Sequence, residues 1–206
     1  RRYKYSGSDD CKEVAWTDWN SGHRPHAVGM LRPNALGLYD MAGNVSELCT
    51  GHSGAEYLDA ERQKSYRVAR GCAYNNTDLG SGERTGFYIK DDTRRPTGTG
   101  IRLALSQLPK PVSIHLDTAP QPSSRSELIA KLVSDMIQVP AGTFTMGFVF
   151  PELRQYYIPP EEMAPHQVTL DSYYLCKYEV TQALWQAVMG VNPSENQDDA
   201  SQPVTN

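Results

Sequence analysis

The sequence predicts an α+β protein that is rich in loops and has short strands and few helices. Among its 206 residues are 16 glycines and 14 prolines, and aromatic residues make up 9%. Gly and Pro interrupt regular structure, and here they are spread over most of the chain, which favours short elements over a helical bundle. Only two windows have a helical period with recognisable end signals, and the strand signals are brief.

Three segments have the composition of strands. The first is Gly100 to Leu105. Met136 to Met146 has Pro-Ala-Gly between two β-prone runs and therefore predicts a hairpin. His166 to Leu175 alternates between polar and apolar residues and predicts a further strand.

Two segments predict amphipathic helices. In the first, Ser124 and Glu127 can form a capping box ahead of apolar side chains on one helical face. In the second, Thr181 is a suitable N-cap, and Gly190 stands where a left-handed C-terminal residue is needed. The apolar residues are Leu128, Ile129, Leu132, Val133 and Met136 in the first helix, and Leu184, Trp185, Val188 and Met189 in the second.

Composition and charge exclude several classes of protein. The net charge of -4 disfavours a nucleic-acid partner, because no basic field exists to bind a phosphate backbone. No apolar run reaches the roughly 18 residues of a transmembrane segment. The cysteines form no CxxC pair, which argues against a zinc knuckle or a disulfide-rich miniprotein and leaves their disulfide state open. They are Cys11, Cys49, Cys72 and Cys176.

Residues 106–126 have the composition of a linker or terminal extension, because prolines and serines interrupt any period there. The linker separates residues 1–105 from residues 127–206. The second block contains MIQVPAGTFTMG and HQVTLDSYYLCKYEVTQALWQAVMGVNPS, and the first contains YKYSGSDDCKEVAW, PNALGLYDMAGNVSEL, YRVARGCAY and TGIRLAL. Together these motifs resemble the formylglycine-generating-enzyme (sulfatase-modifying factor) family, and the resemblance implies its subtype of the C-type lectin fold.

The two blocks occur in an unusual order. In the family the VPAGTFTMG block comes first and the GLYDMAGNV block follows, whereas here residues 1–105 resemble the second half of the domain. The middle region of the family domain is absent from the 206 residues. Two interpretations stay open: a circular permutation without its middle, or one chain with an internal segment outside this sequence. We favour the second, because losing a buried strand and helix would cost more than the roughly 5–15 kcal/mol of a domain's stability.

Reactive groups for catalysis are missing from the expected places. The resemblance implies that oxidase members need two cysteines near the end of the domain, where paired thiolates bind copper. Here the segment from Arg70 to Arg102 contains only Cys72, so we expect no copper and no enzyme activity. The histidines show neither HxxxH spacing nor grouping on one element, so they predict no metal site. They are His23, His26, His52, His115 and His166.

The segment between Gly71 and Gly100 mixes Tyr, Phe, Asn, Asp, Arg and Gly without a strand or helix period. This composition is typical of a paratope, although loops in general are also rich in Gly, Asn and Asp. The flanks match the family closely and the interior does not, as in a binding site carried on a rigid scaffold.

The pattern is similar to the variable proteins of diversity-generating retroelements, in which template adenines are mutated. That resemblance implies a hypervariable ligand-binding site made of residues that mutated Asn codons can encode. The candidate ligand-binding residues are Tyr74, Asn75, Asn76, Asp78, Leu79, Phe87, Tyr88, Ile89, Asp91, Asp92 and Arg95.

The run from Asp40 to Glu47 is a candidate calcium site. Two carboxylates seven residues apart, with backbone carbonyls between them, suit a hard ion that takes six to eight oxygen ligands. In the family, the positions matching Asp40, Gly43, Val45 and Glu47 hold a structural calcium. The alternative is that the two carboxylates cap backbone amides without a metal.

We therefore expect a non-enzymatic ligand-binding protein whose partner is a protein or another surface ligand. The first alternative is a formylglycine-generating oxidase that acts on a sulfatase cysteine, and the second is a structural surface protein of the same fold. The resemblance implies an extracellular or cell-surface location with a lipid anchor.

Overall fold

The structure is a computed structural model that describes residues 3–49, 66–76, 84–88, 97–109, 125–146 and 165–205. Short strands, long irregular connections and two α-helices in these ranges confirm the predicted α+β class. The helices are α1 (Arg125–Ser134) and α2 (Gln182–Met189), and Cys11–Glu13 forms one 3-10 turn. The strands are β1 (Ser46–Cys49), β2 (Tyr66–Arg70), β3 (Arg84–Tyr88), β4 (Thr99–Gly100), β5 (Ala104–Leu105), β6 (Met136–Val139), β7 (Gly142–Met146), β8 (His166–Leu170) and β9 (Tyr173–Cys176).

The first sheet has the order β3-β2-β1-β4. β2 pairs antiparallel with β1 and with β3, whereas β4 pairs parallel to β1 with Ser46 opposite Thr99. The sequence shows no strand period between Gly71 and Gly100 and therefore predicts no strand there. The prediction is wrong for Arg84–Tyr88, which forms β3 and pairs along the whole length of β2. Pairing with a neighbouring strand overrides a weak local pattern.

The predicted hairpin over Met136 to Met146 is wrong. β6 pairs antiparallel with β9, and β7 pairs antiparallel with β8, so the chain does not reverse at Pro140. Instead, Pro140 and Ala141 lie at a break between two strand segments, because proline lacks the N–H that a continuous ladder needs. The predicted single strand from His166 to Leu175 is likewise split into β8 and β9.

The predicted strand from Gly100 to Leu105 connects two sheets. Gly100 ends β4 in the first sheet, and Ala104 begins β5, which pairs antiparallel with β9. The residues between them cross from one sheet to the other. Arg102 lies in this crossing, and its side chain is only 1% exposed.

Both predicted helices are present. Thr181 accepts a hydrogen bond from the Leu184 backbone N–H at 3.3 Å, and Gly190 adopts φ of +84°, so both predicted caps of α2 are confirmed. α1 begins at Arg125, which leaves the predicted cap Ser124 outside the described residues. Met136 belongs to β6 rather than to the helix.

An apolar core joins residues on both sides of the linker. Val180, Leu184 and Val204 are buried together, and Ile101 from the first block packs against them. Burying a side chain of this size contributes roughly 1.5–3 kcal/mol. The helices also contribute Leu128, Leu132 and Trp185 to the same cluster.

Candidate functional site

The turn that precedes β1 is held in an unusual backbone conformation. Asp40, Gly43 and Asn44 have φ values of +53°, +81° and +62°. The Gly43 N–H donates to the Gly71 carbonyl at 2.6 Å, and the Asn44 N–H donates to the Trp16 carbonyl at 2.8 Å. The turn therefore fixes two other segments of the chain through main-chain hydrogen bonds.

The side chain of Asn44 is fully buried and links three segments. Its Oδ1 accepts from the His26 backbone N–H at 2.9 Å, and its Nδ2 donates to Glu179 Oε2 at 2.7 Å. Glu179 Oε1 accepts from the Val45 N–H at 3.2 Å. Burial, together with the nearby Asp40 charge, raises the pKa of Glu179 well above its usual range.

Arg102 donates four hydrogen bonds and forms an ion pair with Glu47. Nε and Nη2 bind Oε1 of Glu47 at 2.7 and 2.6 Å. Nη1 donates to the carbonyls of Cys176 and Lys177, each at 3.0 Å, and Nη2 also donates to the Tyr39 carbonyl at 2.8 Å. Because each of its three nitrogens contacts a carboxylate or carbonyl oxygen, the buried guanidinium is held firmly. It ties β1, Tyr39 and the end of β9 together.

Of the four candidate calcium residues, Asp40, Gly43 and Val45 lie in this turn, and Glu47 lies in β1 directly after it. Asp40 Oδ2 accepts from the Gly29 N–H at 2.7 Å, whereas Asp40 Oδ1 is buried and has no hydrogen-bond partner among the described residues. Burial raises the pKa of Asp40. Arg102 binds Oε1 of Glu47, and Oε2 of the same carboxylate takes no part in that ion pair. Oδ2 of Asp40 thus accepts from a backbone N–H, as the metal-free alternative predicts. Oδ1 is still a suitable ligand for a cation.

A calcium site of this kind would not appear as a cluster of acidic side chains, because two of its four protein ligands are backbone carbonyls. In the ranges that the structure describes, no three His, Cys, Asp or Glu side chains converge in the manner of a metal centre. The candidate set combines two carboxylates with the carbonyls of Gly43 and Val45, which is a donor set that calcium accepts. These types of donor therefore suit a calcium ion.

Three of the candidate ligand-binding residues lie together beyond β2. Tyr74 is half-buried, and Asn75 and Asn76 are exposed. Burial, and then the charge of Glu195, raises the pKa of Tyr74. Asn75 Nδ2 donates to Thr97 Oγ1 at 3.0 Å, and Asn76 Oδ1 accepts from the Ala73 N–H at 2.6 Å.

Main-chain bonds hold this segment. The Tyr74 N–H donates to the Asn44 carbonyl at 2.8 Å, and Ser21 Oγ donates to the Tyr74 carbonyl at 2.9 Å. The Asp18 N–H donates to the Asn76 carbonyl at 3.2 Å. None of these three bonds depends on the side chain at position 74, 75 or 76.

The other candidate ligand-binding residues are less fully described. Phe87 and Tyr88 belong to β3, where they pair with Arg67 and Tyr66. Their backbone therefore follows β2. The remaining candidates lie outside the described residues; they are Asp78, Leu79, Ile89, Asp91, Asp92 and Arg95.

None of the four cysteines forms a disulfide. Cys72 is buried and adopts φ of +63°, a left-handed conformation, at a position where the resembled family usually has glycine. His26 stacks on Trp16 with ring centroids 3.8 Å apart, and His23 Nδ1 lies 2.7 Å from Asp18 Oδ1. Both histidines therefore have structural partners within the part of the chain that the structure covers.

Sequence reasoning missed Arg102 and Glu179. The TGIRLAL motif contains Arg102 but does not indicate that its side chain is buried. Glu179 is a single glutamate between a strand and a helix, and its local sequence gives no sign of burial.

Comparison with known proteins identifies the relatives of this chain. It is 33% identical over 89 residues to the chaperone protein LppX of Paenibacillus barcinonensis, covering 34% of this chain and 30% of that protein. It is 30% identical to the solved structure of Treponema denticola variable protein 1, covering 48% of this chain and 40% of that one, with a TM-score of 0.38. The chain thus spans less than half the length of either relative.

Within the described ranges, no helix combines the length and apolarity that a bilayer crossing requires.

The sequence profile of the sulfatase-modifying factor enzyme 1-like domain matches residues 1–107 and 123–206, which include the whole chain outside the linker. The turn from Asp40 to Glu47, the Arg102 crossing and α2 all fall within those matches. The chain therefore belongs to the sulfatase-modifying factor enzyme 1-like family.

Proposed function

We propose that the chain is a non-enzymatic binding protein that holds a protein or surface ligand through a hypervariable site at Tyr74–Arg95. A retroelement diversifies the site, and the protein is displayed at the cell surface on a lipid anchor. The sequence resemblance to retroelement variable proteins motivates this proposal. The observation that carries it is the main-chain anchoring of residues 74–76.

Because main-chain bonds hold the segment, its backbone conformation does not depend on which side chains it carries. Ser21, Asp18 and Asn44 hold the peptide groups of the segment, so exchange of an exposed side chain leaves those bonds in place. Substitutions of exposed side chains that have no special structural role usually change the free energy of unfolding by less than about 0.5 kcal/mol. Asn76 is an exception, because its side chain bonds the Ala73 N–H and its loss should cost about 1 kcal/mol.

Family membership also raises the possibility of oxidase chemistry. Only Cys72 lies between Arg70 and Arg102, so a copper centre of two thiolates lacks one ligand there. We expect no copper-dependent oxygen uptake in the presence of a cysteine-containing sulfatase peptide. Uptake above that of a Cys72→Ala variant would overturn the non-enzymatic assignment.

A display library tests the binding function directly. In one library of the full chain, the candidate ligand-binding positions are randomised over the residues that mutated Asn codons encode. In a matched library, an equal number of exposed positions on α1, α2 and β8 are randomised. Both are selected against hen egg lysozyme as a defined protein probe.

Micromolar or tighter binders should arise from the first library, because its side chains share one main-chain frame. The matched library should yield none at that affinity. Equal recovery from the two libraries, or no recovery from either, would contradict the proposed site.

We also propose that calcium binds the turn through the side chains of Asp40 and Glu47 and the carbonyls of Gly43 and Val45. The ion would supply a positive charge to Asp40 Oδ1, which is buried and lacks a hydrogen-bond partner in the part of the chain that the structure describes. A ligand that binds only the folded state stabilises it by about 2.7 kcal/mol at 100 times its Kd.

Calcium should therefore raise the Tm of the EDTA-treated protein, and Asp40→Ala should abolish that increase. Asp10→Ala removes another acidic residue that lies outside the turn, so its calcium response should match that of the unmodified chain. The readout is the difference in Tm with and without calcium, which separates metal binding from the direct effect of each substitution. A calcium response that survives in Asp40→Ala would reject this ligand set.

A further inference from the structure

The backbone N–H and carbonyl of Tyr74 are each bound by a buried residue. The N–H donates to the Asn44 carbonyl at 2.8 Å, and the carbonyl accepts from Ser21 Oγ at 2.9 Å. Asn44 and Ser21 are both buried. Because only main-chain atoms of residue 74 take part, the two bonds are available to any side chain at that position.

His26 connects the two residues that hold Tyr74. Its backbone N–H donates to Asn44 Oδ1 at 2.9 Å, and Asn44 Nδ2 donates back to the His26 carbonyl at 3.2 Å. The imidazole Nε2 lies 2.8 Å from the Ser21 carbonyl, which can only accept, so Nε2 carries a proton and donates. These bonds form a closed network of Tyr74, Asn44, His26 and Ser21, which we call the Tyr74 network.

Other contacts fix both partners of the bond between His26 and Ser21. The imidazole stacks on Trp16, with ring centroids 3.8 Å apart and an interplanar angle of 13°. The Ser21 N–H donates to the Thr17 carbonyl at 2.8 Å, and the His23 N–H donates to Ser21 Oγ at 3.0 Å. The network is therefore ordered before any ligand arrives.

We propose that His26 is a positioning residue for ligand binding, which acts on Tyr74 through Asn44 and Ser21. This inference rests on the proposed binding function. A segment whose backbone is already ordered loses little conformational entropy when it binds. If the ordered conformation were populated only about a tenth of the time, the apparent Kd would rise about tenfold. Affinity should therefore depend on His26 for every ligand, whatever side chains the variable positions carry.

Two substitutions break the network at different bonds. His26→Phe keeps an aromatic ring to stack on Trp16 but lacks Nε2, and Ser21→Ala removes the bond to the Tyr74 carbonyl. Each is introduced into the full chain of several lysozyme binders described above and of a second set selected against streptavidin. We expect either substitution to raise Kd by about 10-fold in most binders to both targets.

The double variant shows whether the two residues act through one network. Substitutions in a shared hydrogen-bond network have effects that are not additive in free energy. His26→Phe combined with Ser21→Ala should therefore raise Kd by clearly less than the product of the two single factors. A factor equal to that product would contradict the shared network.

Thr181→Ala is the matched control, because it removes a side-chain bond to a backbone N–H at the start of α2. It should lower the Tm to a similar extent, since each single substitution removes one such bond. Its Kd should stay within about twofold of that of the parent binder, because additive effects at separate sites do not change each other.

Amide hydrogen exchange in the ligand-free chain tests the network without a binding measurement. The Tyr74 N–H should exchange about 10-fold faster in His26→Phe and in Ser21→Ala, because local opening exposes it to solvent. The Cys176 N–H, which donates to the Leu103 carbonyl at 2.9 Å, should keep its exchange rate.

Binders that keep their Kd after both single substitutions would overturn this inference and leave the proposed function standing. An unchanged exchange rate of the Tyr74 N–H would also overturn it. Failure to obtain any binder would overturn both the inference and the proposed function.

Discussion

Arg102→Ala should lower the free energy of unfolding by about 3–5 kcal/mol, because it leaves buried charge without a partner. The change removes both bonds to Glu47 and leaves the carbonyls of Tyr39, Cys176 and Lys177 without this donor. A loss of this size is a large part of the roughly 5–15 kcal/mol that stabilises a domain. Arg102→Lys should also be strongly destabilising, because an ammonium has only three donors. Urea unfolding followed by circular dichroism measures both effects.

Arg32→Ala is the matched control. Arg32 Nη1 also binds a glutamate, Glu13, at 2.8 Å, but both side chains are substantially exposed. Surface ion pairs of this kind contribute about 0–1 kcal/mol. If Arg102→Ala were as mild as Arg32→Ala, the bonds of Arg102 could not be the connection that holds the two sheets together.

Gly43→Ala should lower the free energy of unfolding by about 3 kcal/mol or more. The left-handed φ of +81° costs an L-residue roughly 1–2 kcal/mol. A Cβ at this position would also lie 2.3 Å from the Trp16 carbonyl oxygen and 2.8 Å from the Trp16 nitrogen. Backbone atoms cannot rotate away as a flexible side chain can, so overpacking adds about 1–3 kcal/mol. The free energy of unfolding in EDTA measures the sum without any contribution from calcium.

Gly190→Ala is the control that measures the left-handed penalty without a steric clash. Gly190 has φ of +84°, yet nothing lies within 4 Å of its would-be Cβ. Its substitution should therefore cost only the left-handed penalty of roughly 1–2 kcal/mol. Equal losses for the two alanine variants would show that the contact between Gly43 and Trp16 is not tight in solution.

Local signals were sufficient for the second helix. The Thr181 hydroxyl and the left-handed Gly190 act within a few residues of the ends of α2, so the sequence contains the whole of their physical cause. Long motifs were also sufficient for the family, since GLYDMAGNV and VPAGTFTMG are specific combinations that match over most of the chain.

Strand pairing could not be predicted in the same way. The PAG run suggested a turn because Pro and Gly commonly reverse a chain, but Met136–Met146 instead runs alongside His166–Cys176. The choice between a local hairpin and a distant partner depends on tertiary packing, which a single window does not contain. β3 was missed for the same reason.

The candidate site was predicted in part. The sequence indicated the exposed Asn75 and Asn76 through their composition, and the structure adds that main-chain bonds hold them. Nothing in the sequence indicated that Glu179 bonds Asn44, because those residues are 135 positions apart.

Among the described strands, β3 lies at the margin of its sheet and pairs only with β2. A sequence that gains or loses residues on either side of β3 changes the length of a connection and leaves the alignment of β1, β2 and β4 intact. Insertions or deletions beside β3 should therefore cost less stability than insertions beside β1 or β2, which pair with strands on both sides.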